Sequence, residues 1–112
     1  MTAAQFRRLA LALPGAMESA HHRHPDFRVG NRIFATLAYP NSKFGMIRLT
    51  PAQQAEVVGL APEVFQPVAG AWGRSGSTLV HLSTARVTAL RPILRQAYDN
   101  FAAPAKRSPR RS

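Results

Sequence analysis

The clearest alternation of apolar and polar positions runs from His24 to Leu37, HPDFRVGNRIFATL. Phe27 and Val29 alternate with Asp26 and Arg28, the period of two that marks a half-buried strand. Ile33 to Leu37 forms a second strand. Gly30-Asn31 between them supplies residues that tolerate the positive φ a hairpin turn demands. Two registers compete. A two-residue Gly30-Asn31 loop sets Val29 against Arg32 and Arg28 against Ile33, mixing charged and apolar residues on both faces. A three-residue Gly30-Asn31-Arg32 loop sets Val29 against Ile33 and Phe27 against Ala35. It gathers Phe27, Val29, Ile33, Ala35 and Leu37 on one face, so one-sided burial favours it. Phe34 then falls on the opposite, outer face.

The remaining elements follow from the same patterning. Thr2 predicts the N-cap of a helix over residues 3–12, with Phe6, Leu9, Ala10 and Leu13 as its apolar stripe and Pro14-Gly15 as its stop. Residues 17–22 read as an edge strand. Residues 43–49, KFGMIRL, form the next strand, with Ile47 and Leu49 inward and Phe44, Met46 and Arg48 outward. Thr50, Pro51 and Gln53 spell a capping box with a first-turn proline, opening a helix to about residue 60. Ala52, Ala55, Val58 and Gly59 are its expected packing side. Phe65 should plug the edge of the core. The glycine-rich stretch from Gly70 to Gly76 reads as a hairpin turn, or wing, anchored by Trp72 with Arg74 at its tip. A last strand, residues 77–82, turns Val80 and Leu82 inward. A helix over about residues 85–101 covers the sheet with Val87, Leu90, Leu94, Ala97, Tyr98 and Phe101. Pro92 should kink it or leave its first half non-ideal. Residues 103–112 lack apolar periodicity and read as a basic, disordered tail. The chain is thus one domain over residues 1–102 with a short tail.

Charge adds the next constraint. The 112 residues hold 15 Lys and Arg against 5 Asp and Glu, a formal net charge of +10 and a pI near 11.8. Thirteen of the basic residues are arginine, which suits planar, bidentate contact with phosphate or carboxylate. Lys106, Arg107, Arg110 and Arg111 lie in the tail, so the body keeps a net +6. Such a balance favours polyanions, nucleic acid above all. A GC-rich genome also enriches arginine without any binding role.

Candidate chemistry is sparse. With no cysteine there is no disulfide, thiol nucleophile or cysteine metal site. No segment approaches the roughly 20 apolar residues of a membrane span, and Leu9 to Leu13 is too short for a signal-peptide core, so the cytoplasm is the expected location. His21, His22, His24 and His81 fall short of a zinc pattern and read as a solvated edge. The Gly70–Gly76 loop lacks the Gly-Lys-Ser/Thr ending of a phosphate-binding loop. No Ser/His/Asp arrangement or paired carboxylates point to an enzyme, and no cofactor or small-molecule substrate is expected. The outer sheet face, carrying Arg28, Phe34, Thr36, Phe44, Met46 and Arg48, admits three uses. It could be a stacking platform for nucleic acid, an interface for a homodimer or other protein partner, or a surface covered by a loop.

The order of these pieces resembles the MmcQ/YjbR-like proteins. The resemblance is carried by Leu13-Pro14-Gly15, His24-Pro25-Asp26-Phe27-Arg28-Val29-Gly30, Ile33-Phe34-Ala35, Leu49-Thr50-Pro51, Trp72-Gly73 and Ala97-Tyr98, over residues 2–102. It implies an α+β fold of two layers, with helices packed on one face of an antiparallel sheet, similar to the CyaY fold. It also implies DNA binding through a double-wing arrangement. A frataxin-like iron role fits poorly, because only Glu18, Asp26, Glu56, Glu63 and Asp99 are acidic. Arg28, Arg32, Lys43, Arg48 and Arg74 are the candidate phosphate contacts of a non-enzymatic DNA-binding protein.

Overall fold

The computed structural model describes residues 1–107, with side chains to residue 102, so the side chains of the expected tail lie outside it. The element order is α1 (Ala3–Leu11), β1 (Met17–His21), β2 (His24–Val29), β3 (Arg32–Leu37), β4 (Phe44–Arg48), α2 (Pro51–Leu60), β5 (Phe65–Pro67), α3 (Ala71–Arg74), β6 (Ser77–His81) and α4 (Val87–Arg107). The strands form one antiparallel sheet ordered β1-β2-β3-β4-β6-β5. The fold is α+β in two layers, as expected.

Both long-range helix starts use the same device. Thr2 accepts from the Gln5 amide at 3.1 Å while the Gln5 side chain accepts from the Thr2 amide at 2.8 Å. Thr50 and Gln53 repeat the exchange at 3.1 and 2.9 Å. Each box satisfies two backbone N–H groups that a helix start would otherwise leave open.

The main core lies between the sheet and α1 and α4. Phe6, Phe27, Phe34, Ala35, Ile47, Val80, Leu90, Leu94, Ala97 and Tyr98 are all fully or almost fully buried there. The Phe34 and Tyr98 rings meet edge to face, 5.7 Å between centres, a geometry that aromatic quadrupoles favour. The Tyr98 hydroxyl donates to the Pro14 carbonyl, tying α4 to the turn after α1.

The β2–β3 hairpin corrects the expected register. Gly30 and Asn31 both take positive φ, 58° and 65°, so the loop has two residues and Val29 pairs with Arg32. Arg28 then faces Ile33. One extra residue in β3 restores Phe27 against Ala35. This bulge resolves the conflict between turn chemistry and one-sided burial. Its consequence is a swap: Phe34 turns into the core, and Ile33 turns out.

Two further expectations change. The buried side of α2 is Val57, flanked by Gln54 and Val58, rather than Ala52 and Ala55. The Gln54 amide explains this, donating to the Gly73 and Ser77 carbonyls at 2.9 and 3.0 Å. A polar residue thus occupies a packing position. Trp72 is 61% exposed on the one-turn helix α3 and anchors nothing.

The outer sheet face is closed over in part by its own side chains. Met46, Val68 and Leu79 form a small second cluster with Tyr39 and Phe44 against it. Asp26 and Thr36 are buried beside it. An open aromatic platform across this face is therefore ruled out: Phe34 has left it, and Thr36 and Met46 are covered.

Candidate nucleic-acid interface

Antiparallel pairing decides which arginines meet. The C-terminal ends of β2 and β4 and the N-terminal ends of β3 and β6 share one end of the sheet. Arg28 stands near the end of β2, Arg32 opens β3, and Arg48 closes β4. Arg74 ends α3, three residues before β6, where Ser77 pairs with Arg48. Four of the five candidate residues are thus gathered at one end. Lys43 precedes β4 at the other end, and is not brought together with them.

Arg28, Asn31, Arg32, Ile33, Arg48 and Phe101 line a shallow hollow of about 370 Å³ at this end. The guanidinium carbons of Arg32 and Arg48 lie over the Phe101 ring, 5.9 and 5.7 Å from its centre. Each such contact contributes roughly 0.5–1 kcal/mol at an exposed site. Asn100 fixes the arrangement from behind. Its amide donates to the Arg48 carbonyl at 3.1 Å and to Gln53 Oε1 at 2.8 Å, pinning the end of α4 to the β4–α2 junction. Phe101 was legible in the sequence only as the last member of a core stripe. Its half-buried position at the end of that stripe is what frees the ring for the arginines.

The ion pairs sort the arginines. Among the described residues, Arg7 pairs with Glu18, Arg95 with Asp99, and Arg28 with Asp26. Arg32, Arg48 and Arg74 are exposed and have no carboxylate partner there. Arg28 is held differently. Its Nε and Nη2 donate to the two Asp26 oxygens at 2.8 and 3.1 Å, and His21 Nδ1 lies 2.7 Å from Asp26 Oδ2. Asp26 is fully buried, so it fixes the direction of Arg28 from beneath.

Burial acts to raise the Asp26 pKa, but the hydrogen bonds from Arg28 and His21, with their charges, hold it below the ordinary 3.8. A carboxyl with a depressed pKa contributes stability that is present above its unfolded value and lost as pH falls through its folded value. The contribution of Asp26 is therefore complete above pH 3.8 and disappears only below it. Asp26→Asn should lower stability at pH 7 by about 1.5–3 kcal/mol, the cost of losing hydrogen bonds to a charged group. Urea midpoints followed from pH 7 to pH 2.5 should show the gap between the two proteins narrowing at the acid end. A constant gap would refute this account.

The other end of the sheet collects all four histidines. The His24 ring meets Tyr39 at 5.5 Å, and Phe44 meets His81 at 4.7 Å. His81 Nε2 contacts Gln66 Oε1 at 2.9 Å. Among the described residues, no three His, Cys, Asp or Glu side chains form a group that could hold a metal ion. No helix among them is long and apolar enough to cross a membrane.

Comparison with known proteins agrees with this architecture. The crystal structure of Deinococcus radiodurans protein DR2400, which carries a domain described as DUF419, superposes with a TM-score of 0.72. The match covers 91% of this chain and 80% of that one at 18% identity, a likeness of fold. No curated protein sequence matches. The YjbR family model matches residues 11–100, from the end of α1 to Asn100 within α4. The chain belongs to the YjbR family.

Proposed function

We propose that this is a cytoplasmic, non-enzymatic protein that binds DNA by gripping phosphates with Arg28, Arg32, Arg48 and Arg74. The observation that carries this reading is the pair Arg32 and Arg48 on one ring, with no carboxylate among the described residues to offset either. Two like charges held together raise each other's energy, and a bound anion relieves both. Guanidinium forks match phosphate oxygens in pairs. The charged side chains that line the hollow among the described residues are all arginines, which suits it to binding an anion. Use of the outer face by a protein partner has less support, since Phe34 has turned inward and Met46 and Thr36 are buried.

Fluorescence anisotropy with a labelled 20-base-pair duplex tests the proposal. Each phosphate neutralised should contribute about −0.9 to the slope of log K against log salt. The double variant R32A/R48A should make that slope shallower by about 2 and weaken binding at least roughly ten-fold at low salt. Lys43→Ala, at the far end of the sheet, should change neither. Equal effects of K43A and the double variant would show that the attraction is diffuse. Absence of binding at 50 mM salt, both to the duplex and to a single strand of the same length, would end the proposal.

A further inference from the structure

We infer that Trp72 is a base-stacking group, and that the preferred ligand is an unpaired nucleic-acid strand rather than a closed duplex. This deepens the phosphate-binding reading and rests on it. The only tryptophan in the chain is 61% exposed, the residue type with the most to gain from burial. Among the described residues it makes no ring–ring or cation–π contact of the kind that holds the half-buried Tyr39, Phe44 and Phe101.

Its backbone, in contrast, is held firmly. Ser75 Oγ donates to the Trp72 carbonyl at 2.9 Å, and the Ser75 amide donates to the same carbonyl at 3.2 Å. Gly73, the next residue, is buried, and its carbonyl accepts from Gln54 at 2.9 Å. A fixed backbone presenting a free indole is a preorganised contact, which reduces the entropy cost of binding. A floppy loop would offer no such gain.

The surroundings supply the charge. Arg74 lies two residues on, and Leu49 donates to the Gly76 carbonyl at 3.2 Å, which joins the α3 turn to the residue after Arg48. The turn that carries the indole therefore lies at the same end of the sheet as the arginines. Aromatic rings interleaved with cations are the means by which proteins hold single strands: the bases stack and the backbone is neutralised. A closed duplex keeps its base faces covered, so an exposed indole has little to offer it.

The single tryptophan makes the test direct, because all indole fluorescence reports Trp72. The full chain is titrated with a 15-residue oligothymidylate and with a duplex of equal length. Anisotropy of a labelled oligonucleotide is followed in parallel. The expected result is quenching of Trp72 by the single strand, tighter binding of that strand, and about ten-fold weaker binding by W72A. W72F, which keeps an aromatic face, should recover most of the loss. Thermal melting should show both variants folded, since the side chain is exposed. Binding without quenching, or equal weakening of single strand and duplex by W72A, would overturn the stacking role and leave the phosphate grip standing. Unchanged binding by R32A/R48A, with Trp72 still quenched by the single strand, would instead overturn the arginine assignment and leave the stacking role standing.

Discussion

Replacing Phe34 by alanine should destabilise the protein by about 3–5 kcal/mol, the usual cost of emptying a buried phenylalanine site. That is a large share of the 5–15 kcal/mol that holds a domain of this kind together. Phe34 is fully buried, and its ring meets Tyr98 on α4, so the cavity would open at the contact between the two layers. The register expected from alternation alone makes the opposite forecast. On an exposed outer face the same change would fall within about 0.5 kcal/mol. Urea denaturation separates the two: the midpoint should fall sharply with little change in slope. Ile33→Ala, at the neighbouring position, should cost much less, because the bulge turns Ile33 outward onto the hollow lined by Arg28, Arg32 and Arg48.

The Phe34 reversal shows where the chain could be read and where it could not. Local signals were sufficient for the elements. Thr2 announced the first helix as its N-cap and Thr50 the second through its capping box, and Pro14-Gly15 closed the first. The stripe from Leu90 to Tyr98 was correctly placed against the sheet. Register was different, because a bulge has no signature of its own. Gly30-Asn31 demanded a two-residue turn, burial demanded Phe27 beside Ala35, and only an inserted residue could satisfy both. The same limit hid the packing side of α2, where Gln54 uses hydrogen bonds in place of apolar area. The arginines were individually visible, but their meeting depended on strand order. β4 had to pair with β6 rather than with an intervening strand before Arg48 and the Arg74 turn could share an end. Lys43 was separated from them by the same pairing, since it precedes the strand that Arg48 ends. Phe101 could not be assigned to the site until α4 had been laid across the sheet and Asn100 had fixed its end.

The stretch from Gly70 to Gly76 invites the sharpest test, because the large residue and the small one exchange roles there. Tryptophan is the expected anchor, yet the buried member is Gly73. A Cβ at Gly73 would stand 1.5 Å from the Val68 carbonyl oxygen and 2.6 Å from its carbon. Those are backbone atoms, and Val68 is bound to β6 through its amide, donating to the Ser77 carbonyl at 3.0 Å. Neither side can yield without breaking that bond or the contact from Gln54 to the Gly73 carbonyl. Overpacking typically costs about 1–3 kcal/mol where side chains can adjust. With backbone on both sides, Gly73→Ala should exceed about 3 kcal/mol and lower the melting temperature by well over 10 °C in a domain of this size. Gly59→Ala supplies the matching control. Gly59 lies in α2 with open space where the methyl would go, so the same substitution should raise stability by about 0.5–1 kcal/mol through helix propensity. Thermal melts of the two variants should therefore move in opposite directions. If Gly73→Ala melted with the parent, the tight approach between the α3 turn and Val68 would be absent. The turn that carries Trp72 and Arg74 would then lack the rigid base on which their use in binding depends.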